Sequence, residues 1–347
     1  MMNRSALAAL FAVLTVLGAA CSSAEEAPDE IVLMTHGSFA VSEGVLEAFT
    51  SETGVAVTVL ESADAGTMVN QAILTKDNPV ADVLYGIDNT FLSRAVDEAL
   101  FLAYEAANID LVPSTLHAAG NFATPIDVGD VCVNLDPAGF DALGLEAPTR
   151  LTDFADPAYR GVFVVEDPST SSPGLSFLLS TIARFGEDGD YPWQAYWTDL
   201  VANDVQIVAG WEQAYYGEFS GGSGEGERPA VVSYATSPVA EVYYGELEAA
   251  PTTMIEDGCF RQIEYAGILS GTTAETTAQQ LVDFLLTRTF QEDIPLNMFV
   301  FPANSEAILP DVFIEYATVP ADPVLMDPSV IEENRDRWLS EWAAIVR

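Results

Sequence analysis

The sequence predicts an α/β protein with two lobes and a two-stranded hinge, and three observations lead to this expectation. Short apolar segments rich in β-branched residues alternate with helical segments, which is typical of mostly parallel sheets flanked by helices. The chain has 347 residues, more than one compact core usually holds. Two extended segments, at 127–134 and 259–265, separate the alternating halves, and two such crossings between lobes make a hinge.

The first half of the chain alternates predicted strands and helices. Strands are predicted at 31–35, 55–60 and 80–85, with helices at 45–53 and 67–76. Ligands gather at the carboxyl ends of parallel strands. The candidate binding residues that follow the first and third strands are His36, Ser38, Asp88 and Asn89. A helix N-cap is an equally good explanation of Asp88.

A cluster of hydroxyl side chains at 169–172 follows a strand predicted at 162–165. The sequence predicts a helix from there, with Ser172 as its N-cap and Pro173 in its first turn. Hydroxyls beside the free N–H groups of a helix N-terminus are a natural place for an anion such as phosphate. The candidate anion-binding residues are Thr170, Ser171 and Ser172. An ordinary capped helix is the simpler interpretation of the same residues, because Ser and Thr are favoured caps.

Aromatic side chains follow two further predicted strands, at 205–209 and 231–234. Core packing is the usual role of a single aromatic residue. Trp211 and Tyr234 lie beside Gly or Ser where those strands end, so we expect them to line a cleft. Flat rings in a cleft stack on heteroaromatic ligands and hold cations. The remaining candidates are Tyr215, Thr236, Ser237 and Phe299.

The charge of the chain limits its ligands. With 53 acidic and 12 basic residues, the net charge is −41. Nucleic acid is excluded as a partner because it requires basic patches. The acidity mildly favours a cationic ligand. An anion held by the hydroxyl cluster would have to depend on hydroxyls and helix N–H groups rather than on lysine.

Residues 1–24 have the pattern of an export signal. Arg4 gives a positive start, and the apolar run 6–17 is too short to span a bilayer. Gly18-Ala19-Ala20-Cys21 then resembles a lipoprotein cleavage box. We expect Cys21 to be lipidated and the protein to be exported and held at the outer face of the cell membrane, or in the periplasm, by that anchor alone.

Cysteine and histidine usage argues for a disulfide and against metal or enzymatic chemistry. With Cys21 set aside, an exported protein pairs its two remaining cysteines, Cys132 and Cys259. Only His36 and His117 are histidines, and no Cys-x-x-Cys spacing occurs, so no metal site is expected. The chain carries neither a Gly-x-Ser-x-Gly nor a phosphate-binding Gly-x-x-x-x-Gly-Lys motif. We therefore expect no enzymatic activity and no cofactor.

Several motifs, in order along the chain from Ile31 to the C-terminus, resemble the thiamine-binding family of bacterial ABC-transporter solute-binding proteins. They are Gly86-Ile87-Asp88-Asn89, Asp167-Pro168-Ser169-Thr170-Ser171-Ser172-Pro173-Gly174-Leu175, Gly210-Trp211-Glu212-Gln213-Ala214-Tyr215, Val232-Ser233-Tyr234-Ala235-Thr236-Ser237-Pro238, Ile294-Pro295 to Phe301-Pro302, and Arg337-Trp338-Leu339-Ser340-Glu341-Trp342. The set in this order is more specific than any single motif.

This resemblance implies a ligand and a role for each candidate residue. Thiamine or a thiamine phosphate would be the ligand. Its rings would contact Trp211, Tyr215 and Tyr234, its aminopyrimidine would bond Asp88, and its phosphate end would meet Thr170, Ser171 and Ser172. This chain has His36 and Gly37 where the family usually has tyrosine and aspartate, and Phe299 where tryptophan is common.

The resemblance also implies an architecture, the type II periplasmic-binding fold. One lobe would comprise 31–128 plus 263–299, and the other 131–260 plus 303–347. The ligand would lie between them, and closure of a monomeric protein would signal loading to an ABC permease.

Two other functions remain open at this point. Paired tyrosines such as Tyr215 and Tyr216, or Tyr243 and Tyr244, with His36 and a carboxylate, could ligate ferric ion through oxygen in a protein of the same fold. An enzyme on this fold would need a nucleophile beside a base, and it is the weaker alternative.

Overall fold

The computed structural model describes residues 28–222 and 224–347. The predicted export signal, with Cys21, lies outside the described residues. The strands are β1 Glu30–Thr35, β2 Ala56–Glu61, β3 Val83–Asp88, β4 Phe101–Leu102, β5 Thr124–Leu135, β6 Phe163–Glu166, β7 Gln206–Val208, β8 Ala230–Tyr234, β9 Thr253–Leu269 and β10 Phe301–Pro302. The helices are α1 Val45–Thr53, α2 Ala65–Leu74, α3 Leu92–Asp97, α4 Pro137–Leu143, α5 Ser172–Phe185, α6 Trp193–Ala202, α7 Ser237–Gly245, α8 Glu275–Leu285, α9 Arg288–Gln291, α10 Ile294–Asn297, α11 Asp311–Tyr316 and α12 Pro328–Val346, and a π-helical turn covers Gln213–Glu218.

The strands form a sheet in which two parallel groups flank a pair of long antiparallel strands. The order is β2-β1-β3-β9-β5-β8-β6-β7. β1 is parallel to β2 and β3, and β6 is parallel to β7 and β8. β9 is antiparallel to β3 and β5, and β5 is antiparallel to β8. We call the side with β1–β3 the first lobe and the side with β6–β8 the second lobe. The predicted two-lobed α/β fold with a two-stranded connection is confirmed.

Cys132 of β5 and Cys259 of β9 form a disulfide, as predicted. Both side chains are buried, beside Ala235 and Met254. The bond joins the two connecting strands where their register shifts between Val131 and Val133. It therefore ties together the two strands that link the lobes.

Aromatic side chains dominate the second-lobe core and anchor the C-terminal helix. Trp197 of α6 donates its indole N–H to Thr181 Oγ1 at 3.0 Å. Trp342 of α12 packs edge-on against Trp197, with ring centroids 5.6 Å apart. Burial of such large rings is a major source of folding free energy. The helix that ends the chain is thereby part of this core. No helix of the described residues is long and apolar enough to cross a membrane.

Two local predictions are wrong by a few residues. The third strand runs over Val83–Asp88 rather than 80–85, so Asp88 ends the strand instead of following it. The N-cap of α5 is Ser171, not Ser172, because Ser171 has extended backbone angles and its Oγ accepts from Gly174 N at 3.4 Å. Ser172 is the first helical residue, followed by Pro173 in the first turn.

Candidate binding site

A cavity of about 560 Å³ lies between the two lobes. The first lobe contributes the turn after β1 and the residue before α2. The second lobe contributes the start of α5, the segment after β7, the end of β8 and part of α7. The segment 297–300 and Glu264 of β9 complete the lining. Its volume is typical of cavities that enclose a small molecule.

The structure brings most of the predicted binding residues to this cavity. Those that line it are His36, Ser38, Ser172, Trp211, Tyr215, Tyr234, Ser237 and Phe299. Those that do not line it are Asp88, Asn89, Thr170, Ser171 and Thr236. The expectation that strand-end aromatics face a cleft therefore holds for Trp211 and Tyr234.

Four rings, Trp211, Tyr215, Tyr216 and Tyr234, form an aromatic wall on the second-lobe side. Trp211 stacks on Tyr215 with centroids 5.1 Å apart and an interplanar angle of 17°. Tyr216 and Tyr234 meet Trp211 edge-on. The Trp211 indole N–H donates to Ser233 Oγ at 2.8 Å, which fixes the orientation of the ring. The wall is therefore held in place before any ligand arrives.

Tyr215 is tied to a carboxylate behind the wall. Its hydroxyl donates to Glu241 Oε1 at 2.5 Å, and Thr252 Oγ1 donates to the other Glu241 oxygen. Burial, with the charge of Glu241, raises the pKa of Tyr215 well above its usual value. Tyr215 is consequently a neutral hydrogen-bond donor, and its ring backs Trp211 at the cavity lining.

Phe299 occupies an unusual backbone conformation beside the cavity. Its φ is 54°, in the left-handed region that non-glycine residues rarely adopt. Thr236 Oγ1 donates to the Phe299 carbonyl at 2.5 Å and holds it there. Tyr244 packs edge-on against the Phe299 ring at 5.4 Å. Thr236, predicted as a ligand contact, thus supports Phe299 instead.

The charged groups at the cavity are carboxylates. The lining includes Asp64, Glu212, Glu241 and Glu264, and among the described lining residues there is no lysine or arginine. Carboxylates next to aromatic faces give a negative potential in a partly desolvated space, which favours a cation.

Three ionisable residues of the lining, with two buried carboxylic acids next to them, form a group that we call the titratable floor. Its members are His36, Asp64, Asp88, Asp127 and Glu264. His36 Nε2 is 3.7 Å from Glu264 Oε2. Burial by itself lowers the pKa of His36, but Glu264, Asp64 and Asp88 outweigh it, so this pKa is raised.

Asp127 lies behind Glu264 in the floor. It accepts a hydrogen bond from the Tyr85 hydroxyl, and in the β5–β9 register it is the partner of Glu264. Burial, with the adjacent charge of Glu264, raises the pKa of Asp127 well above its ordinary value. The raised pKa reflects the cost of placing two carboxylate charges side by side in a buried position.

Asp88 and Asn89 support the fold next to the cavity rather than lining it. Asp88 Oδ1 accepts from Thr90 N at 2.7 Å and from Thr90 Oγ1 at 2.5 Å, while Oδ2 is buried without a hydrogen-bond partner. Burial raises the pKa of Asp88 to about 6, although the hydrogen bonds from Thr90 limit the rise. Asn89 bonds the backbone of Arg261 and Ile263, and so ties β3 to β9. Asp88 Oδ1 closes a turn over Thr90 and Phe91 ahead of α3, whose N-cap is Phe91, so the explanation of Asp88 as a helix N-cap is wrong.

The hydroxyl cluster is mostly occupied by contacts within the protein. Ser169 Oγ donates to Asp167 Oδ1 at 2.5 Å, and Thr170 Oγ1 donates to the Ala209 carbonyl at 2.7 Å. Ser171 caps α5. Only Ser172 of this cluster lines the cavity, and its Oγ is buried without a partner. The expected group of three anion-binding hydroxyls is thus reduced to one that faces the cavity.

Several cavity residues were missed in the sequence. They are Asp64, Glu212, Glu241 and Glu264, whereas Tyr216 and Tyr244 were named only as candidate ligands for ferric ion. The strand-end rule could have found Asp64, since it lies shortly after β2 and caps α2. Glu264 lies within the long strand β9, where nothing in the local pattern distinguishes it.

The fold and the site together define a two-lobed binding protein that encloses a small molecule. The family model for bacterial extracellular solute-binding proteins matches residues 78–321. The chain belongs to this family.

Individual relatives are similar over almost the whole chain. It is 27% identical over 334 residues to the thiamine-binding periplasmic protein of Escherichia coli, covering 94% of this chain and 96% of that one. It is 28% identical over 345 residues to the thiamine-binding periplasmic protein of Brucella abortus, covering 96% of each. These relatives are binding proteins rather than enzymes.

Solved structures agree on the fold. A periplasmic thiamin-binding protein superposes with a TM-score of 0.81 at 25% identity, covering 92% of this chain and 96% of that one. Iron-bound HitA from Pseudomonas aeruginosa superposes with a TM-score of 0.70 at 20% identity, covering 92% of this chain and 99% of that one. At that identity the second match is evidence of fold alone.

Proposed function

We propose that this protein captures thiamine in the cavity between its lobes and delivers it to an ABC permease. The observation that carries the proposal is the combination of an aromatic wall with carboxylates and no lysine or arginine among the described lining residues. Thiamine carries a permanent positive charge on one flat ring and a neutral flat ring beside it. An aromatic and acidic cavity suits that chemistry.

The relatives named above support this ligand, and the geometry assigns roles. Trp211, Tyr215 and Tyr234 would contact the rings. Glu264, which lines the same cavity, would compensate the positive charge. Ser172, with an unused hydroxyl, would meet a polar end of the ligand. The remaining lining candidates are His36, Ser38, Ser237 and Phe299.

The predicted binding residues that do not line the cavity would affect the ligand indirectly, by holding the residues or segments that do line it. Asp88 and Asn89 hold the end of β3, Thr170 and Ser171 hold the start of α5, and Thr236 holds Phe299. A phosphate at the Ser172 end would be met by one free hydroxyl rather than by a cluster, so thiamine itself is the better fit and its phosphates are secondary ligands.

The lobes that would close on the ligand are proposed as 31–128 plus 263–299 and 131–260 plus 303–347. An export signal over 1–24 and lipidation of Cys21 would place the protein at the outer face of the cell membrane as an anchored monomer. Closure would present a loaded surface to the permease.

Ferric-ion binding is the weaker candidate. A tyrosine ligand to ferric ion must lose its proton. Tyr215 instead donates its proton to Glu241, and burial raises its pKa. This opposes formation of the tyrosinate.

Isothermal titration of the mature protein with thiamine, thiamine monophosphate and ferric citrate tests the function. We expect heat and quenching of tryptophan fluorescence with thiamine, and no ferric charge-transfer colour. Absence of heat with both thiamine and thiamine monophosphate, from a protein with a cooperative melting transition, overturns the proposal.

A further inference from the structure

Beyond the ligand itself, we propose that Asp64 and the glycines beside it form a latch between the lobes, and that this latch positions Trp211. Asp64 is a positioning residue in this proposal, because it acts on the ligand through the indole. The ligand used to test it rests on the proposed function, but the latch itself can be measured without ligand.

Asp64 bonds to both lobes. It is the N-cap of α2 in the first lobe, and its Oδ1 accepts from Ala65 N at 2.7 Å. Its Oδ2 accepts from the backbone N–H of Trp211, in the second lobe, at 2.8 Å. A second bond crosses the same boundary, from Thr67 N to the Thr170 carbonyl at 3.2 Å. One carboxylate therefore joins a helix start of one lobe to the segment that carries the principal ring of the other.

Glycine permits this close approach on each side. A Cβ on Gly66 would lie 2.7 Å from the Thr170 carbonyl carbon and 2.8 Å from its oxygen. A Cβ on Gly210 would lie 2.9 Å from Asp64 Oδ2. At Gly66 the crowded atoms are backbone, so a side chain there would force the two lobes apart, while a side chain at Gly210 would displace the Asp64 carboxylate from its bond to Trp211.

The latch has a consequence for release of the ligand. Opening the lobes requires the loss of both crossing hydrogen bonds, one of which is made to a carboxylate and is thus of the stronger kind. The same opening releases the backbone of Trp211, so the aromatic wall is no longer held from the first lobe. Loss of the latch should therefore speed dissociation of the ligand more than it slows association.

Hydrogen exchange tests the latch without ligand. In Asp64→Ser the serine still caps α2, but its side chain is too short to reach Trp211. We expect exchange at the amides of Trp211 and Thr67 to quicken about tenfold or more, with the β5–β9 amides unchanged. Asp327→Ser, the same change at the exposed N-cap of α12, should leave both amides as in wild type. Unchanged exchange at Trp211 in Asp64→Ser overturns the latch.

Stopped-flow fluorescence with thiamine tests its coupling to the ligand. We expect Asp64→Ser and Gly66→Ala each to raise the dissociation rate about tenfold, the change that corresponds to about 1.4 kcal/mol, while association changes by less than about threefold. Asp64→Asn, which keeps an acceptor oxygen, should recover most of the wild-type rate.

The outcomes separate the two proposals. If wild type binds no thiamine, the proposed function fails, and the exchange experiment still decides the latch. If Asp64→Ser loses thiamine affinity with wild-type exchange at Trp211, Asp64 is only a ligand contact and the latch is overturned. Faster exchange with an unchanged dissociation rate overturns the coupling.

Gly66→Ala adds a methyl group at a helical position, so its melting temperature is the control for stability. A wild-type melting temperature in this variant shows that any faster release of the ligand is not due to unfolding.

Discussion

The aromatic wall lines the cavity and the titratable floor reaches it through His36, Asp64 and Glu264, but different forces hold the two groups. The rings of the wall are held by contacts with one another and by the bond from Trp211 to Ser233, neither of which titrates, while the carboxylates Glu241 and Asp64 bond it only through the Tyr215 hydroxyl and the Trp211 backbone. The floor is a set of buried ionisable groups whose charges depend on one another. The comparison teaches that affinity for flat rings and sensitivity to pH can be built into separate parts of one site. Substitutions in the two regions should therefore have different signatures.

The largest expected effect lies in the floor, at Asp88. Its pKa is raised from 3.8 to about 6, so the folded protein binds more protons than the unfolded chain in this range and its stability falls as pH rises through it. Asp88→Asn removes that loss. We expect the variant to gain about 2 kcal/mol relative to wild type between pH 4 and pH 7, using about 1.4 kcal/mol per pKa unit as the upper scale.

Urea unfolding of both proteins at several pH values measures this difference. An equal pH dependence in wild type and variant would show that Asp88 is ionised without cost, and the floor would then resemble an ordinary polar surface.

In the wall, removal of Trp211 should have the largest effect on binding. Trp211→Ala should weaken thiamine binding by at least about 1 kcal/mol, the scale of a stacked cation–π contact, with no change in its pH dependence. Trp211→Phe keeps a ring and should lose less. Titration calorimetry at pH 6.5 and pH 8 measures the loss of affinity in each variant and its dependence on pH. A loss that varies with pH would show that the wall and the floor do not act independently.

At the floor, the pair of His36 and Glu264 should govern the pH profile of binding. The raised pKa of His36 makes the ring a cation at lower pH, which repels a cationic ligand. We expect wild-type affinity to rise with pH as His36 loses its proton. Glu264→Gln removes the main opposing charge, so burial then lowers the pKa of His36 and the midpoint moves to lower pH.

Affinity at high pH should also fall severalfold in Glu264→Gln, because a carboxylate facing the cation is lost, on the order of 1 kcal/mol. Calorimetric titrations from pH 6 to pH 9 follow both changes. A midpoint that stays in place would mean that His36 does not set the profile.

The smallest effect is expected at the rim. Tyr244 is 70% exposed and touches the cavity only at its edge. Tyr244→Ala should change affinity by about 0.5 kcal/mol or less, and a fluorescence titration is sensitive enough to measure this. A loss as large as that of Trp211→Ala would extend the wall to the rim.

The sequence predicted the fold well because its main signals are local. Alternating apolar segments located most strands within one to three residues, and the two extended segments are indeed the central strands β5 and β9. Strand-end positions led to His36, Trp211 and Tyr234. These predictions needed only the rule that parallel strands present their carboxyl ends at one edge.

Other features depended on partners distant in sequence. Whether Thr170 faces a ligand is decided by the Ala209 carbonyl, 39 positions away. Glu264 matters because β9 places it next to Asp127 and His36, and nothing near it in the sequence reveals this. The N-cap of α5 fell one residue earlier than predicted because proline fits either of the first two helical positions.

The pairing of β3 with β9 also has a consequence for the order in which the molecule is assembled. Val83 pairs with Ile268, so the first lobe cannot complete its sheet until nearly the whole second lobe has been synthesised. Contacts of such long sequence separation form slowly. A nascent chain of this protein therefore remains incompletely folded for longer than one whose lobes are continuous. A chain that crosses a membrane as an extended polypeptide has to stay unfolded until it has passed.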